Sequence, residues 1–145
     1  MKPWQGIVIH CSDSSFGDVL TIDDWHKQRK WSGIGYHFVI TNGKQKKDSE
    51  YLRSTDGQIC PARAVDKSGA HSGSPYNQTH IGICLVGINS FTQHQKTALQ
   101  MLIKDLVYKH NIEIDNIIGH YQCSTANGKT CPNFDVDQFK NSIFE

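Results

Sequence analysis

The chain has 145 residues, 37% of them hydrophobic and 20% charged, with a formal net charge of +1. That length suits one domain around one core, residues 1–145, and the near-neutral balance argues against a dedicated nucleic-acid surface, which needs a basic stripe. No run approaches the ~20 apolar residues of a membrane span, and the opening MKPWQGIVIHCSDSS turns polar too soon for a signal peptide, so synthesis in a cytoplasm is expected.

The first predicted element is a strand over Gly6–His10 (GIVIH), a β-branched run. Alternation puts Val8 and His10 on one face and Ile7 and Ile9 on the other. His10 stands where the apolar run stops. Thr21 is a candidate cap for a helix beginning IDDWHKQRKW, with Asp23 and Asp24 in its first turn and Gly33 and Gly35 ending it. YHFVITNG predicts a second strand closed by a turn at Asn42-Gly43.

The stretch from Lys44 to Leu52 reads as a polar loop or short edge hairpin, with Lys44, Lys46 and Lys47 as a solvated turn. STDGQIC adds a turn signal at Asp56-Gly57, and SGAHSGSPYNQTH reads as a loop. HIGICLVGI is nearly continuously apolar and predicts a buried central strand, with Cys84 as a core residue. Thr92 and Gln95 form a capping box for an amphipathic helix running to about Lys109 on Leu99, Leu102, Ile103 and Leu106. IDNIIGH predicts a short strand ending at His120. Asp135 and Gln138 repeat the capping pattern for a last helix carrying Val136, Phe139 and Ile143. Strands alternating with helices indicate the α/β class, a central mixed sheet flanked by helices.

The five cysteines are an odd number, which fits a closed disulfide framework poorly. A metal ligand or buried thiols account for them better. His10 and His120 both end strand-like runs, and parallel neighbours in one sheet bring such ends to the same edge. One thiolate added to them gives a three-ligand zinc site with an open fourth position, the catalytic kind. His120-x-x-Cys123 has chelate spacing as well, so spacing alone does not choose between Cys123 and Cys131.

Four tracts in this order, IVIHCS, DDWHKQRKWSGIGYHFVI, SGAHSGSPYNQTHIGICLVG and KTCPNFD, carry a resemblance over nearly the whole chain. The sequence resembles the zinc-dependent N-acetylmuramoyl-L-alanine amidases, in the branch shared by short phage lysozymes and peptidoglycan recognition proteins. The resemblance implies one zinc per chain, in a groove at the strand ends, held by His10, His120 and Cys131. The third ligand is selected because it follows a lysine by two residues and precedes a proline. It implies catalytic roles for Tyr36 and Lys129, and it places His71 and Asn77 along the substrate groove. The gap from His120 to Cys131 exceeds that of compact members, with the extra turn around Ala126-Asn127-Gly128.

Those roles have a chemical logic. Bound zinc brings a water's pKa toward ~7 and polarises a carbonyl. Lys129 would face the oxyanion as a fixed charge. A tyrosine with a pKa of ~10 is a poor general base, which favours positioning by Tyr36 over proton abstraction. The implied substrate is peptidoglycan, cut between N-acetylmuramic acid and L-alanine, by a monomer serving as a phage endolysin. The rivals are a recognition domain that binds without cutting and a cytoplasmic recycling amidase. Of the other histidines, His37 should face away from Tyr36 in a structural role, and His26 should lie at the surface or cap. His94 and His110 should be exposed, and His80 should bond locally. Trp4, Trp25 and Trp31 read as core or rim packing.

Overall fold

A computed structural model describes residues 3–144. In chain order the elements are β1 (Gly6–Cys11), α1 (Val19–Gln28), β2 (Phe38–Asn42), β3 (Asp56–Pro61), the single turn α2 (Tyr76–Thr79), β4 (His80–Leu85), α3 (Gln93–His110), β5 (Ile117–Gly119) and α4 (Val136–Phe144). The five strands form one sheet in the order β3-β2-β4-β1-β5. β1 runs parallel to β4 and β5, β2 runs parallel to β4, and only β3 is antiparallel, at the edge. The sheet is therefore mixed, with helices on both faces, as the alternation of elements predicts.

The period-2 pattern of β1 sorts its side chains. Ile7 and Ile9 join Ile40, Ile81, Ile83 and Leu85 in a core covered by Leu99, Leu102, Ile103 and Leu106 of α3 and Val136 of α4. Val8 faces the other way, against Cys123 and Ala126. On that second face Val39 and Cys84 pack with Ile22 of α1 and Ile34. All six residues of β1 are buried, because a central parallel strand is covered on both faces.

The capping box of α3 is present in both halves, Gln95 N–H to Thr92 Oγ1 and Thr92 N–H to Gln95 Oε1, each 3.0 Å. Gln95 also donates to the carbonyls of Ile40 (3.1 Å) and Val86 (2.8 Å), pinning the helix start to β2 and to the end of β4. Asp135 accepts from Gln138 N–H (2.9 Å) ahead of α4.

Several expectations need correction. The cap of α1 is Asp18, whose carboxylate accepts from Thr21 N–H at 2.8 Å, so the helix starts at Val19 rather than after Thr21. Asp23 then lies beyond the first turn, where it accepts from Ile34 N–H (2.7 Å) and pairs with Lys27 (2.9 Å). Second, DGQICP is an edge strand rather than only a turn, paired with β2 and ended by Pro61, where a missing N–H is tolerated. Third, β5 is only three residues long, because Ile114–Asn116 closes a 3₁₀ turn first. β2 likewise begins at Phe38, which leaves Tyr36 on the preceding segment.

Candidate metal centre and groove

The parallel pairing explains why His10 and His120 meet. Ile9 is in register with Gly119, so the next residues, His10 within β1 and His120 just past β5, lie side by side at the same end of the sheet. Their ring centroids are 4.6 Å apart. Cys131 arrives from the loop after β5. Its carbonyl accepts from Tyr121 N–H (2.9 Å), and its sulfur accepts from the backbone N–H of Cys11 (3.0 Å). His10, His120 and Cys131 offer ligand atoms all within 4.8 Å of one another. Cys123 is elsewhere, buried against Val8 and Ala126, with burial pushing its thiol up to about 11.

A chain of hydrogen bonds determines which nitrogen of His10 is free. His71 Nε2 lies 3.0 Å from the carbonyl oxygen of His80, which can only accept. His71 Nε2 is therefore the protonated nitrogen and its Nδ1 carries a lone pair. That Nδ1 lies 3.0 Å from His10 Nε2, and the Ser72 hydroxyl lies 2.8 Å from the first and 3.1 Å from the second. Two lone pairs facing at 3.0 Å would repel, so His10 Nε2 carries the proton and its Nδ1 presents a lone pair to the site. Orientation of a ligating imidazole through its other nitrogen is the usual outer-shell arrangement at metal centres. The ring of His71 fits because Gly69 and Gly82 have no side chains. A Cβ there would come within 2.4 and 2.7 Å of its Cδ2.

The protonation states suit metal ligation. Burial, followed by the neighbouring His71, His120 and Lys129, holds the His10 pKa well below that of a free histidine. Burial and Lys129 lower that of His120. Both imidazoles are thus neutral, the ligating form. The neighbouring Cys11 side chain, then burial, outweigh the Cys11 backbone N–H and keep Cys131 a thiol, so a metal would displace its proton. Two neutral imidazoles and one thiol are a donor set of the catalytic zinc type.

These residues line a groove of about 410 Å³. Tyr36 stands on it with its ring centroid 5.1 Å from that of His10. Burial, followed by the nearby Cys84, Cys131 and Cys11 thiols, raises its hydroxyl pKa well above the ordinary value, so it stays protonated. Lys129 is exposed and lines the same groove. His71 borders the groove too, yet both of its nitrogens are engaged. Asn77 instead ties down the loop, its amide oxygen accepting from the N–H groups of His71 (2.9 Å) and Ser72 (3.0 Å).

His26 corrects an expectation of surface placement. It is only 6% exposed, accepts from Gly35 N–H at Nδ1 (2.9 Å) and lines the groove beside Tyr36. With Nδ1 accepting, its Nε2–H is the donor. Trp31 packs edge-on to His26 at 4.7 Å with the Arg29 guanidinium 5.5 Å from its ring, so the groove ends on a cationic, aromatic wall. No local pattern marks His26, because helical spacing alone does not say that a loop will fold over that face. His37 is structural as expected, accepting from Gly82 N–H (3.0 Å) and bonded to the Lys67 carbonyl (2.8 Å). His94 is exposed, His110 is half-buried and His80 bonds Thr79 locally (2.7 Å). Trp4 is core, bonded to the Val65 carbonyl at 2.9 Å, and Trp25 packs on Phe16.

Comparison with known proteins identifies the family and the fold. The family model for N-acetylmuramoyl-L-alanine amidase matches residues 1–134. The endolysin of Klebsiella phage KP32 is 29% identical over 150 residues, covering 94% of this chain and 87% of that protein. Among solved structures, the amidase LysC from Clostridium intestinale superposes with a TM-score of 0.79 at 28% identity, covering 98% of this chain and 86% of that one. A point mutant of Drosophila PGRP-LB in complex with tracheal cytotoxin superposes at 0.70 with 25% identity, over 91% and 76% of the two chains.

Proposed function

From the premise that the chain belongs to the N-acetylmuramoyl-L-alanine amidase family, we propose that it is a zinc-dependent endolysin. It cuts the amide between N-acetylmuramic acid and L-alanine in peptidoglycan, with residues 1–145 as one monomeric catalytic domain. The observation that carries this reading is the convergence of His10, His120 and Cys131 in one groove with Tyr36 and Lys129.

His10 through Nδ1, His120 and Cys131 would hold the ion. When bound, zinc supplies Lewis-acid polarisation of the carbonyl and activation of a water. The remaining work belongs to the chain. His71 and Ser72 keep the His10 proton on Nε2. The neutral Tyr36 hydroxyl donates a hydrogen bond that positions the water or the oxyanion. Lys129 places a positive charge where negative charge develops, in a groove partly shielded from water. Arg29, Trp31 and His26 form a wall suited to the carboxylates of a stem peptide.

The endolysin assignment is supported by the names of the phage relatives. Among the described residues no helix is long and apolar enough to cross a membrane. Synthesis in the host cytoplasm and action on the wall after membrane permeabilisation complete the reading. Zinc content, paired with release of free N-terminal L-alanine from purified sacculi, tests it. One zinc per chain with new amino ends is expected. Zinc without new ends would leave a recognition domain. Cleavage of soluble muropeptides alone would make it a recycling amidase.

A further inference from the structure

Cys11 is the residue next to His10 and lies outside the proposed ligand set. Its own backbone N–H donates to Cys131 Sγ at 3.0 Å, and that sulfur lies 3.8 Å from the Cys11 carbonyl oxygen. The Asn133 amide donates to Cys11 Sγ at 3.8 Å, so the Cys11 thiol is held in place. Both cysteines line the groove. A side-chain amide thus fixes the Cys11 sulfur, and the backbone of the same residue holds the Cys131 sulfur, inside a cleft that small solutes enter. By contrast Cys84 is fully buried, Cys123 packs against Val8 and Cys60 is on the edge strand β3.

We propose that Cys11 and Cys131 form an oxidisable pair, a modification site at which a disulfide and a bound metal exclude each other. The consequence for activity rests on the zinc amidase reading, while the chemistry of the pair does not. The Cys131 sulfur already rests against the Cys11 backbone, so side-chain rotation is what closing to the ~2.05 Å of a disulfide requires. Hydrogen peroxide is a sufficient oxidant. One sulfur attacks a peroxide oxygen, the O–O bond breaks, and a sulfenic acid and one water result. The second sulfur displaces the sulfenic hydroxyl as a second water and the S–S bond forms. Both thiol protons leave in the two waters, and two electrons pass from sulfur to peroxide. The bridged Cys131 no longer has a thiolate to offer, and two imidazoles alone hold zinc poorly.

The test uses the whole reduced chain loaded with zinc and treated with hydrogen peroxide. The thiol count should fall from five to three, the mass should drop by two hydrogens, and a proteolytic map should join the peptides of Cys11 and Cys131. Zinc should pass to a chromogenic indicator in step with the cross-link, and dithiothreitol with added zinc should reverse both. In Cys11→Ala and the near-isosteric Cys11→Ser the cross-link cannot form. Cys131 should then gain oxygen instead, in a form that dithiothreitol restores only at the sulfenic stage. A bridge between any other pair overturns the proposal. So do five intact thiols at peroxide levels that oxidise free cysteine, or equal rates of zinc loss from parent and Cys11→Ala. If the cross-link forms in a chain that never binds zinc, the pair stands and the amidase reading falls; zinc and cleavage without a cross-link give the reverse.

Discussion

Replacing His71 by phenylalanine separates two roles for that residue. The resemblance to the amidases implies a side chain along the substrate groove. The hydrogen bonds make it a positioning residue for His10 instead, because its Nδ1 lies 3.0 Å from His10 Nε2 and its Nε2 faces the His80 carbonyl. Phenylalanine keeps a ring between Gly69 and Gly82 and removes both nitrogens. His10 then keeps only the Ser72 hydroxyl, which donates or accepts equally well, so nothing forces its proton onto Nε2. Losing an outer-shell partner of this kind costs ~10–100-fold in metal affinity, or ~1.4–2.8 kcal/mol. The orphaned His80 carbonyl adds ~1–3 kcal/mol of lost stability. Zinc competition against a chelating indicator reads the first effect and denaturant unfolding of the metal-free chain the second. Parental zinc affinity combined with a raised KM would refute the reasoning and return His71 to the substrate.

Cys131→Ala should empty the zinc site and abolish cleavage, whereas Cys123→Ala should keep most of both; metal analysis of the two proteins decides, and the opposite pattern would reverse the ligand assignment. Tyr36→Phe should lose much of its turnover with zinc content and fold unchanged, as single-turnover kinetics on a defined muropeptide would show. Lys129→Ala should bind muropeptide nearly normally and cleave about 10²–10³-fold more slowly, with Lys129→Arg rescuing only in part. For His26, burial, then Arg29 and Arg63, depress the folded-state pKa below ~6.5. The unfolded chain therefore binds more protons, and the stability that neutral His26 contributes is complete above pH ~6.5 and lost as pH falls through the folded value. His26→Gln, which can still accept from Gly35, should flatten the acid limb of the melting curve relative to the parent.

What the sequence made legible follows from how local each determinant is. β1 reads directly because alternation and burial are written in six consecutive residues, and α3 because Thr92 and Gln95 cap it within one turn. The start of α1 misreads because Thr21 and Asp18 are both competent caps, and the choice depends on which side chain reaches an N–H three residues on. β3 is invisible as a strand because its pattern is weak at a sheet edge, and only pairing with β2 makes it one. The convergence of His10 and His120 is readable from two strand ends, since parallel register does the rest. His71 is not readable in the same way. Its role depends on a carbonyl nine residues later and on two glycines that leave room for its ring.

The loop that carries Cys131, which the resemblance to the amidases reads as a lengthened connection, is itself packed into the fold. The extra residues around Ala126-Asn127-Gly128 do not lengthen the reach to Cys131. Ala126 is 5% exposed and sits in the core with Val8, and Asn127 and Gly128 turn the chain back with positive φ values of 53° and 80°. Lys129 N–H closes that turn on the Ala126 carbonyl (3.1 Å), and the Thr125 hydroxyl bonds the Ser72 carbonyl, beside the residue that steadies His10. This turn is thus fastened to the same loop that orients His10. Its two ends differ in a way that matches their uses. Cys131 is gripped at both its carbonyl and its sulfur, as the ligand role proposed for it requires. Lys129 is exposed, and none of the ion pairs among the described residues involves it. The role proposed for Lys129, meeting charge as it develops on a substrate, benefits from that freedom, since a carboxylate partner would have to be released first.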